Sequence, residues 1–302
     1  FSMTLHNFHY RFFYQFLVAG IIFFFYLRTL KLNKFTSIVG GLLVAFLGYT
    51  VLGSSWNHSR FVLYGVFLLF AFEQYYMHKR WYLLPLAILF YNNTFDVWLH
   101  GIFIFIYSVF RYTYDHGWSW KGLIRQSLFL AGFAALGLSI RLINHVSPFL
   151  KMYFSPRVAG DATYMDDLAE KGVSDLGEKW FYATTILRTF SNDILGNGSD
   201  FKGWYNYLEA PIFYAGIVTL LLIPQAFTRL KKRQKIILGI FAGFWLLTII
   251  FPYLRHALYA FTGNYFKRGM DFFIPMVMLF MAMSALHKIS SGTPVNKRML
   301  FT

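Results

Sequence analysis

The sequence predicts an all-α polytopic membrane protein with about nine transmembrane helices and one large extracytoplasmic loop. Composition is the first observation, because 57% of the 302 residues are apolar, 14% are charged, and the mean hydropathy is +0.47. Soluble proteins average roughly 45–50% apolar and about 25% charged residues. The second observation is a series of apolar runs near membrane-spanning length, and the third is an uneven distribution of Lys and Arg between alternate loops.

The apolar runs define the candidate spans. About 20 residues cross the hydrocarbon core, and fewer suffice where protein surrounds a helix. The fourth run is short and ends at Asn92, Asn93 and Asp96, which predicts a half-helix that stops at a cavity. By residue number the runs are roughly 12–27, 37–52, 61–76, 81–91, 97–110, 123–142, 211–227, 236–253 and 269–286.

The distribution of basic residues predicts the orientation. One set of alternate loops and ends holds sixteen Lys and Arg residues, and the opposite set holds six. Because cytoplasmic loops carry the excess, the N-terminus and the long polar segment are predicted to face away from the cytoplasm. The same rule explains the net charge of +15 without nucleic acid as a partner. An outside N-terminus, in a chain that starts at Phe1, indicates an upstream helix.

The polar segment 144–210 divides the chain into three predicted regions. It holds nine of the thirteen acidic residues. An N-terminal bundle of about six spans, 1–143, precedes it, and a C-terminal bundle of about three spans, 211–302, follows it. Within the loop, apolar residues at three- and four-residue spacing predict an amphipathic surface helix over 175–192.

A set of basic residues near predicted outer span ends is the candidate binding site. Ionisable groups at membrane depth are costly, so each is a functional hypothesis. Arginine and lysine at the outer mouth of the bundle would bind the phosphate or pyrophosphate of a lipid. The alternative is that these side chains reach lipid headgroups individually. The predicted substrate-binding cations are Arg141, Arg255, His256, Lys267 and Arg268.

Arg157 is a further candidate in the outer loop. It follows Ser155 and Pro156, beyond an apolar patch, and is predicted to clamp a lipid phosphate. A solvated loop arginine is the alternative interpretation.

Asp96 is the candidate catalytic residue. It is the one acid in the short outer connections, and as a general base it would deprotonate an acceptor hydroxyl in an inverting transfer. The alternative role is the N-cap of the fifth span. Asp193 and Glu209, beside the membrane surface, are rival substrate-site acids. The chain has no cysteine and no phosphate-binding glycine motif, so we predict no metal site and no cofactor.

Short motifs follow one another in a fixed order along the chain. In this order the chain resembles the bacterial YfhO family of membrane proteins, of the GT-C class of glycosyltransferases, from about Phe12 to Lys288. The motifs that carry the resemblance are Tyr26-Leu27-Arg28, Gly40-Gly41 to Gly48, Leu83-Leu84-Pro85-Leu86, Asn92-Asn93-Thr94-Phe95, Ser155-Pro156-Arg157, Gly196-Asn197-Gly198, Tyr205-Asn206-Tyr207-Leu208-Glu209-Ala210-Pro211 and Phe266-Lys267-Arg268.

The resemblance implies a GT-C-like fold and a glycosyltransferase of the cell membrane. A polyprenyl-phosphate-linked sugar would be the donor, and a cell-envelope glycopolymer such as lipoteichoic acid or a wall glycan the acceptor, on the extracytoplasmic face. GT-C enzymes place their catalytic acid in the first outer loop, which would precede Phe1, so Asp96 is a substitute for it. The alternatives are a transporter or flippase of a lipid-linked glycan and a glycan polymerase or ligase.

Overall fold

The computed structural model describes residues 2–53, 58–91, 93–140, 146–147, 150–151, 154, 172–261, 266 and 268–300. In these residues the regular structure is helical. The α-helices are α1 (Ser2–Thr29), α2 (Lys34–Ala45), α3 (Gly48–Leu52), α4 (His58–His78), α5 (Leu83–Leu89), α6 (Thr94–His116), α7 (Trp120–Ser139), α8 (Lys179–Phe190), α9 (Ile217–Leu222), α10 (Lys232–Ile250), α11 (Pro252–Leu258) and α12 (Gly269–Ser290).

Six helical segments in the described part of the chain are long and apolar enough to cross a membrane. The prediction of an all-helical membrane protein is confirmed at this level. These segments are Phe12–Thr29, Lys34–Leu52, Thr94–His116, Trp120–Ser139, Lys232–Ile250 and Gly269–Ser290.

The other three predicted runs form shorter or less apolar helices. Run 61–76 lies in α4, and run 81–91 contains the seven-residue α5, which is too short to cross alone. Run 211–227 becomes helical only at Ile217, because Gly216, with a φ of 92°, separates it from an irregular segment. Nine crossings therefore stay a prediction.

Side-chain caps fix several helix starts. The side-chain oxygen of Asn33 accepts from the backbone N–H of Thr36 at 2.9 Å and begins α2. Asn93 caps α6 in the same way, accepting from Phe95 N at 3.0 Å. Such caps satisfy backbone donors that the helix itself leaves free. The predicted N-cap role of Asp96 is therefore wrong, because Asn93 occupies that position.

The described helices belong to two compact units. The first unit comprises 1–80, 183–230 and 266–302, and the second comprises 81–182 and 231–265. Helix α8 contributes its first four residues to the second unit and the remainder to the first. This division follows packing, whereas the predicted division into three regions follows membrane sidedness and stays a prediction.

In the first unit, α1 packs against α2 and α4, and α12 packs against α2 and α9. Helices α1 and α2 approach closely at glycines, since a Cβ added to Gly20 would lie 2.8 Å from the carbonyl oxygen of Gly41. Small residues permit such approaches between membrane helices. A buried hydrogen bond of 2.7 Å from Gln74 Nε2 to Thr29 Oγ1 joins α4 to α1.

In the second unit, α5 packs against α7, and α6 packs against both α7 and α10. Phe110 of α6 stacks on Phe241 of α10 with ring centroids 4.2 Å apart. Helix α7 buries only Leu123 and Gly137, so most of its surface is available to lipid.

Candidate functional site

The candidate site is built around Arg188, a fully buried arginine of α8. Its exposed fraction is 0%. Nη1 donates to the carbonyl oxygen of Tyr207 at 2.9 Å, and the guanidinium carbon lies 5.0 Å from the ring of Phe201 and 5.1 Å from that of Tyr207. Nε and Nη2 find no hydrogen-bond partner in the described residues. A buried charge with free donors is unusual in a folded protein.

The sequence of α8 explains why Arg188 points inward. Trp180, Ile186 and Phe190 are exposed, whereas Thr184 and Arg188 are buried. Three large apolar side chains thus lie on the outer face, while Phe181 is buried, and the exposed ones suit a helix at the membrane interface. The polar face is left to pack on the protein.

Asp271, the third residue of α12, supplies a buried acceptor in the same unit. Its exposed fraction is also 0%. Oδ1 accepts from the backbone N–H of Ile212 at 2.8 Å, while Oδ2 has no partner in the part of the chain that the structure describes. Asp271 interacts electrostatically with Arg188. No ion pair between the described residues joins the two side chains directly.

Asn192 supplies a second unpaired acceptor. It lies two residues beyond the end of α8 and directly precedes Asp193 in the same unit. Its buried Oδ1 has no described partner. The amide rests on Gly48 at the start of α3, where an added Cβ would lie 2.3 Å from Asn192 Oδ1. Glycine is needed at position 48 for this approach.

Asp193 and Tyr207 belong to the same set of residues, because both interact electrostatically with Arg188. Burial lowers the pKa of Arg188, and the charges of Asp271, Tyr207 and Asp193 oppose that shift. Burial and then Asp193 raise the pKa of Tyr207. Arginine nevertheless stays protonated in proteins. We call Arg188, Asn192, Asp193, Tyr207 and Asp271 the Arg188 cluster.

Four atoms of the Arg188 cluster have no hydrogen-bond partner among the described residues. The donors are Nε and Nη2 of Arg188, and the acceptors are Asp271 Oδ2 and Asn192 Oδ1. A phosphate oxygen would satisfy the donors but leave the Asn192 amide oxygen unpaired, since it offers no hydrogen. A hydroxyl group both donates and accepts. The cluster therefore suits a ligand with several hydroxyl groups.

Of the predicted acids, Asp193 lies in the Arg188 cluster and is exposed. Glu209 is half-buried in the same unit, where its Oε2 accepts from Asn206 Nδ2 at 2.7 Å. Asp96 lies in the second unit, in the first turn of α6, and its carbonyl oxygen is 3.1 Å from Nδ1 of His100. A carboxylate in the first turn is favoured by the helix dipole.

The predicted cations fall in different places. Arg268 belongs to the first unit, has a φ of 70°, and donates its backbone N–H to the hydroxyl of Tyr49 at 2.5 Å. Arg255 and His256 belong to the second unit and are buried, with the Arg255 guanidinium carbon 5.3 Å from the ring centroid of Phe181. Arg141, Arg157 and Lys267 lie outside the described residues. The ring of outer cations stays a prediction.

Comparison with known proteins found no match to this chain among family models, curated proteins or solved structures. The resemblance to the YfhO family therefore stays a prediction.

Three central residues were not predicted from the sequence: Arg188, Asn192 and Asp271. Two signals were present. Asp271 is the single acid within the predicted span 269–286, where an ionisable group is costly. Arg188 lies on the polar stripe of the predicted surface helix, and such a stripe turns toward protein when the apolar stripe meets lipid.

Proposed function

We propose that this chain is a membrane glycosyltransferase that transfers a sugar from a polyprenyl-phosphate-linked donor to a cell-envelope glycopolymer on the extracytoplasmic face. The observation that carries the proposal is the mixed set of buried, unpaired donors and acceptors in the Arg188 cluster. Leaving each such atom unsatisfied costs about 1–3 kcal/mol, so a ligand that pairs them gains binding energy.

The chemistry of a sugar fits this set better than that of a bare anion. A hexose presents neighbouring hydroxyl groups, and each can accept from Arg188 while donating to Asp271 or Asn192. The exposed Tyr205 also lies in the loop of the first unit, and aromatic faces suit sugar rings. We assign sugar recognition to Arg188, Asn192 and Asp271.

In the proposed reaction, Asp193 replaces Asp96 as the general base. Asp193 is exposed, so an acceptor hydroxyl from the aqueous side can reach it, and it lies within electrostatic range of Arg188. The acceptor oxygen bonds to the anomeric carbon while its proton passes to the Asp193 carboxylate. The bond from the anomeric carbon to the phosphate oxygen breaks, and its electron pair leaves with polyprenyl phosphate. Arg268 is the described cation assigned to that phosphate.

A reconstituted transfer assay tests the proposal. The purified chain in lipid nanodiscs is supplied with a panel of polyprenyl-phosphate hexoses carrying labelled sugar, together with envelope glycopolymer. We expect labelled polymer and free polyprenyl phosphate in equal amounts. Asp193→Asn removes the base and is expected to lower kcat at least a hundredfold, since general-base catalysis contributes about 10²–10⁴-fold. Asp200→Asn changes an exposed acid of the same loop and is the matched control.

Other outcomes separate the alternatives. Movement of intact donor across a vesicle membrane without bond cleavage would assign the chain to transport. Transfer of whole oligosaccharides would assign it to polymerisation or ligation. An Asp193→Asn variant with full activity would refute the role of that residue.

A further inference from the structure

A long apolar groove runs between α6 and α10 in the second unit. Its volume is about 510 Å³. One end is marked by Trp118 and Arg233, and the rest is hydrocarbon except for Thr113. The apolar walls consist of Phe105, Ile106, Val109 and Phe110 from α6, and Ile237, Ile240, Phe241 and Phe244 from α10.

The length of the groove matches one leaflet of a membrane. Along α10 the lining extends from Arg233 to Phe244, so the two ends are eleven residue steps apart along the helix. At 1.5 Å per residue this is about 16 Å. Half of the ~30 Å hydrocarbon core is about 15 Å. An acyl chain of one leaflet therefore fits along the groove.

The polar end is positioned by the backbone around the end of α6. Arg233 Nη2 lies 3.3 Å from the carbonyl oxygen of Asp115 and 3.5 Å from that of Tyr114. Gly117, with a φ of 85°, leaves room for the guanidinium, because an added Cβ would lie 3.0 Å from Arg233 Nη1. The guanidinium has five N–H donors, so these long contacts leave most of them available.

The charge around Arg233 favours an anionic group. The Asp115 carboxylate is paired with Arg111 at 3.2 Å, so its charge is largely offset. Arg233 itself is exposed at the start of α10, and three exposed lysines lie within two residues of it in sequence. Trp118, 63% exposed, is a residue type that concentrates at the membrane–water interface. The neighbouring lysines are Lys231, Lys232 and Lys235.

We propose that this groove holds one acyl chain of an anionic glycerophospholipid, whose phosphate binds Arg233. Basic pockets between transmembrane helices on the cytoplasmic side are typical anionic-lipid sites. The distribution of Lys and Arg predicts that the Arg233 end faces the cytoplasm, where the leaflet is negatively charged. This inference is independent of the proposed transfer reaction, because it concerns the second unit only.

Native mass spectrometry of the detergent-purified chain tests the inference. The chain is titrated with phosphatidylglycerol and, separately, with phosphatidylcholine of the same acyl composition. We expect one phosphatidylglycerol to bind about tenfold more tightly than phosphatidylcholine, because the quaternary ammonium of phosphatidylcholine offsets its phosphate charge and is repelled by Arg233 and the nearby lysines. Arg233→Ala is expected to remove that preference. Lys235→Ala removes the same charge from the same helix without lining the groove, and should change affinity less than twofold.

A second variant tests the acyl chain separately from the headgroup. Ile240→Trp fills the middle of the groove and is expected to weaken phosphatidylglycerol binding several-fold, whereas Ile236→Trp, on an exposed position outside the lining, should not. Equal binding of the two lipids by the unmodified chain would overturn the inference. So would full binding by Arg233→Ala, or displacement of the phospholipid by equimolar polyprenyl phosphate, which would assign the groove to the glycan carrier.

Discussion

Arg188 and Arg233 show how differently one side chain is used in the two units. Arg188 is buried in the first unit and interacts electrostatically with Asp271, and two of its donor atoms have no partner among the described residues. Arg233 is exposed in the second unit, at the end of a groove walled by hydrocarbon. The first environment combines donors with acceptors and suits hydroxyl groups, whereas the second combines a cation with apolar walls and suits a lipid phosphate.

The residues around an arginine, more than its position near a span end, determine which ligand it suits. From the sequence, all of the outer cations were expected to bind phosphate. In the structure, Arg188 is distinguished by the acceptors around it, and Arg233 by the shape of the surface beside it.

The largest expected difference between the two arginines is in stability. Arg188→Met removes the charge that offsets the buried Asp271 and the hydrogen bond to Tyr207, so we expect a loss of roughly 3 kcal/mol. Arg233→Met changes an exposed position and should alter stability little. Thermal melting in detergent should show a fall of roughly 5 °C or more for the first variant only. Equal melting temperatures would mean that Arg188 is not needed to balance the cluster.

Substitutions of Gly48 and Gly117 test the two sites separately. Gly48→Ala would place a Cβ 2.3 Å from Asn192 Oδ1 and displace the amide, at a cost of about 2 kcal/mol. Gly117→Ala strains a backbone with a φ of 85° and crowds Arg233, at a cost of about 1 kcal/mol. We expect the first variant to weaken sugar binding and the second to weaken phosphatidylglycerol binding. Both site assignments would be contradicted if Gly48→Ala weakened phosphatidylglycerol binding and Gly117→Ala weakened sugar binding.

Asp271→Asn tests the need for an acceptor in the Arg188 cluster. The asparagine oxygen can keep the bond from Ile212, while its amide replaces the unpaired carboxylate oxygen by a donor. We expect about a tenfold loss of affinity for a polyprenyl-phosphate hexose with normal folding, because one hydrogen bond to a charged group is worth about 1.5 kcal/mol or more. Asp200→Asn is again the control, and a loss of the same size there would refute the assignment.

The smallest expected difference between the two sites is in the salt dependence of ligand binding. Exposed charges are screened, with a Debye length of ~10 Å at 0.1 M salt, and buried ones much less. Raising NaCl from about 0.05 to 0.5 M should weaken phosphatidylglycerol binding several-fold and change the preference for polyprenyl-phosphate hexose over bare polyprenyl phosphate less than twofold. Native mass spectrometry cannot use high NaCl, so both are measured by microscale thermophoresis. Equal salt dependence would remove the distinction between the sites.

The helices were more predictable from sequence than the site. Apolar runs predicted the membrane character and the six described helical segments that are long and apolar enough to cross, because hydrophobicity is required locally at each crossing. The start of α9 was less predictable, since Gly216 breaks the helical pattern through its backbone conformation. Asp96 was given the cap that Asn93 holds, because both residue types favour helix starts.

The Arg188 cluster depends on contacts between residues distant in sequence. Arg188 and Asp271 are brought into one unit by the packing of 183–230 with 266–302. No periodicity within either segment shows that pairing. Asn192 depends on Gly48, more than a hundred residues earlier, for the space that its amide occupies. The sequence shows which groups are costly to bury, but only the fold shows which of them remain unpaired.

Binding of a polyprenyl-phosphate hexose compared with polyprenyl phosphate alone tests the role of the Arg188 cluster most directly. Both lipids are titrated against the nanodisc-reconstituted chain and its Asp271→Asn variant. We predict that the unmodified chain prefers the sugar-bearing lipid about tenfold, and that the variant loses most of this preference while still binding the bare lipid. Equal affinity of the unmodified chain for the two lipids would contradict sugar recognition by the Arg188 cluster.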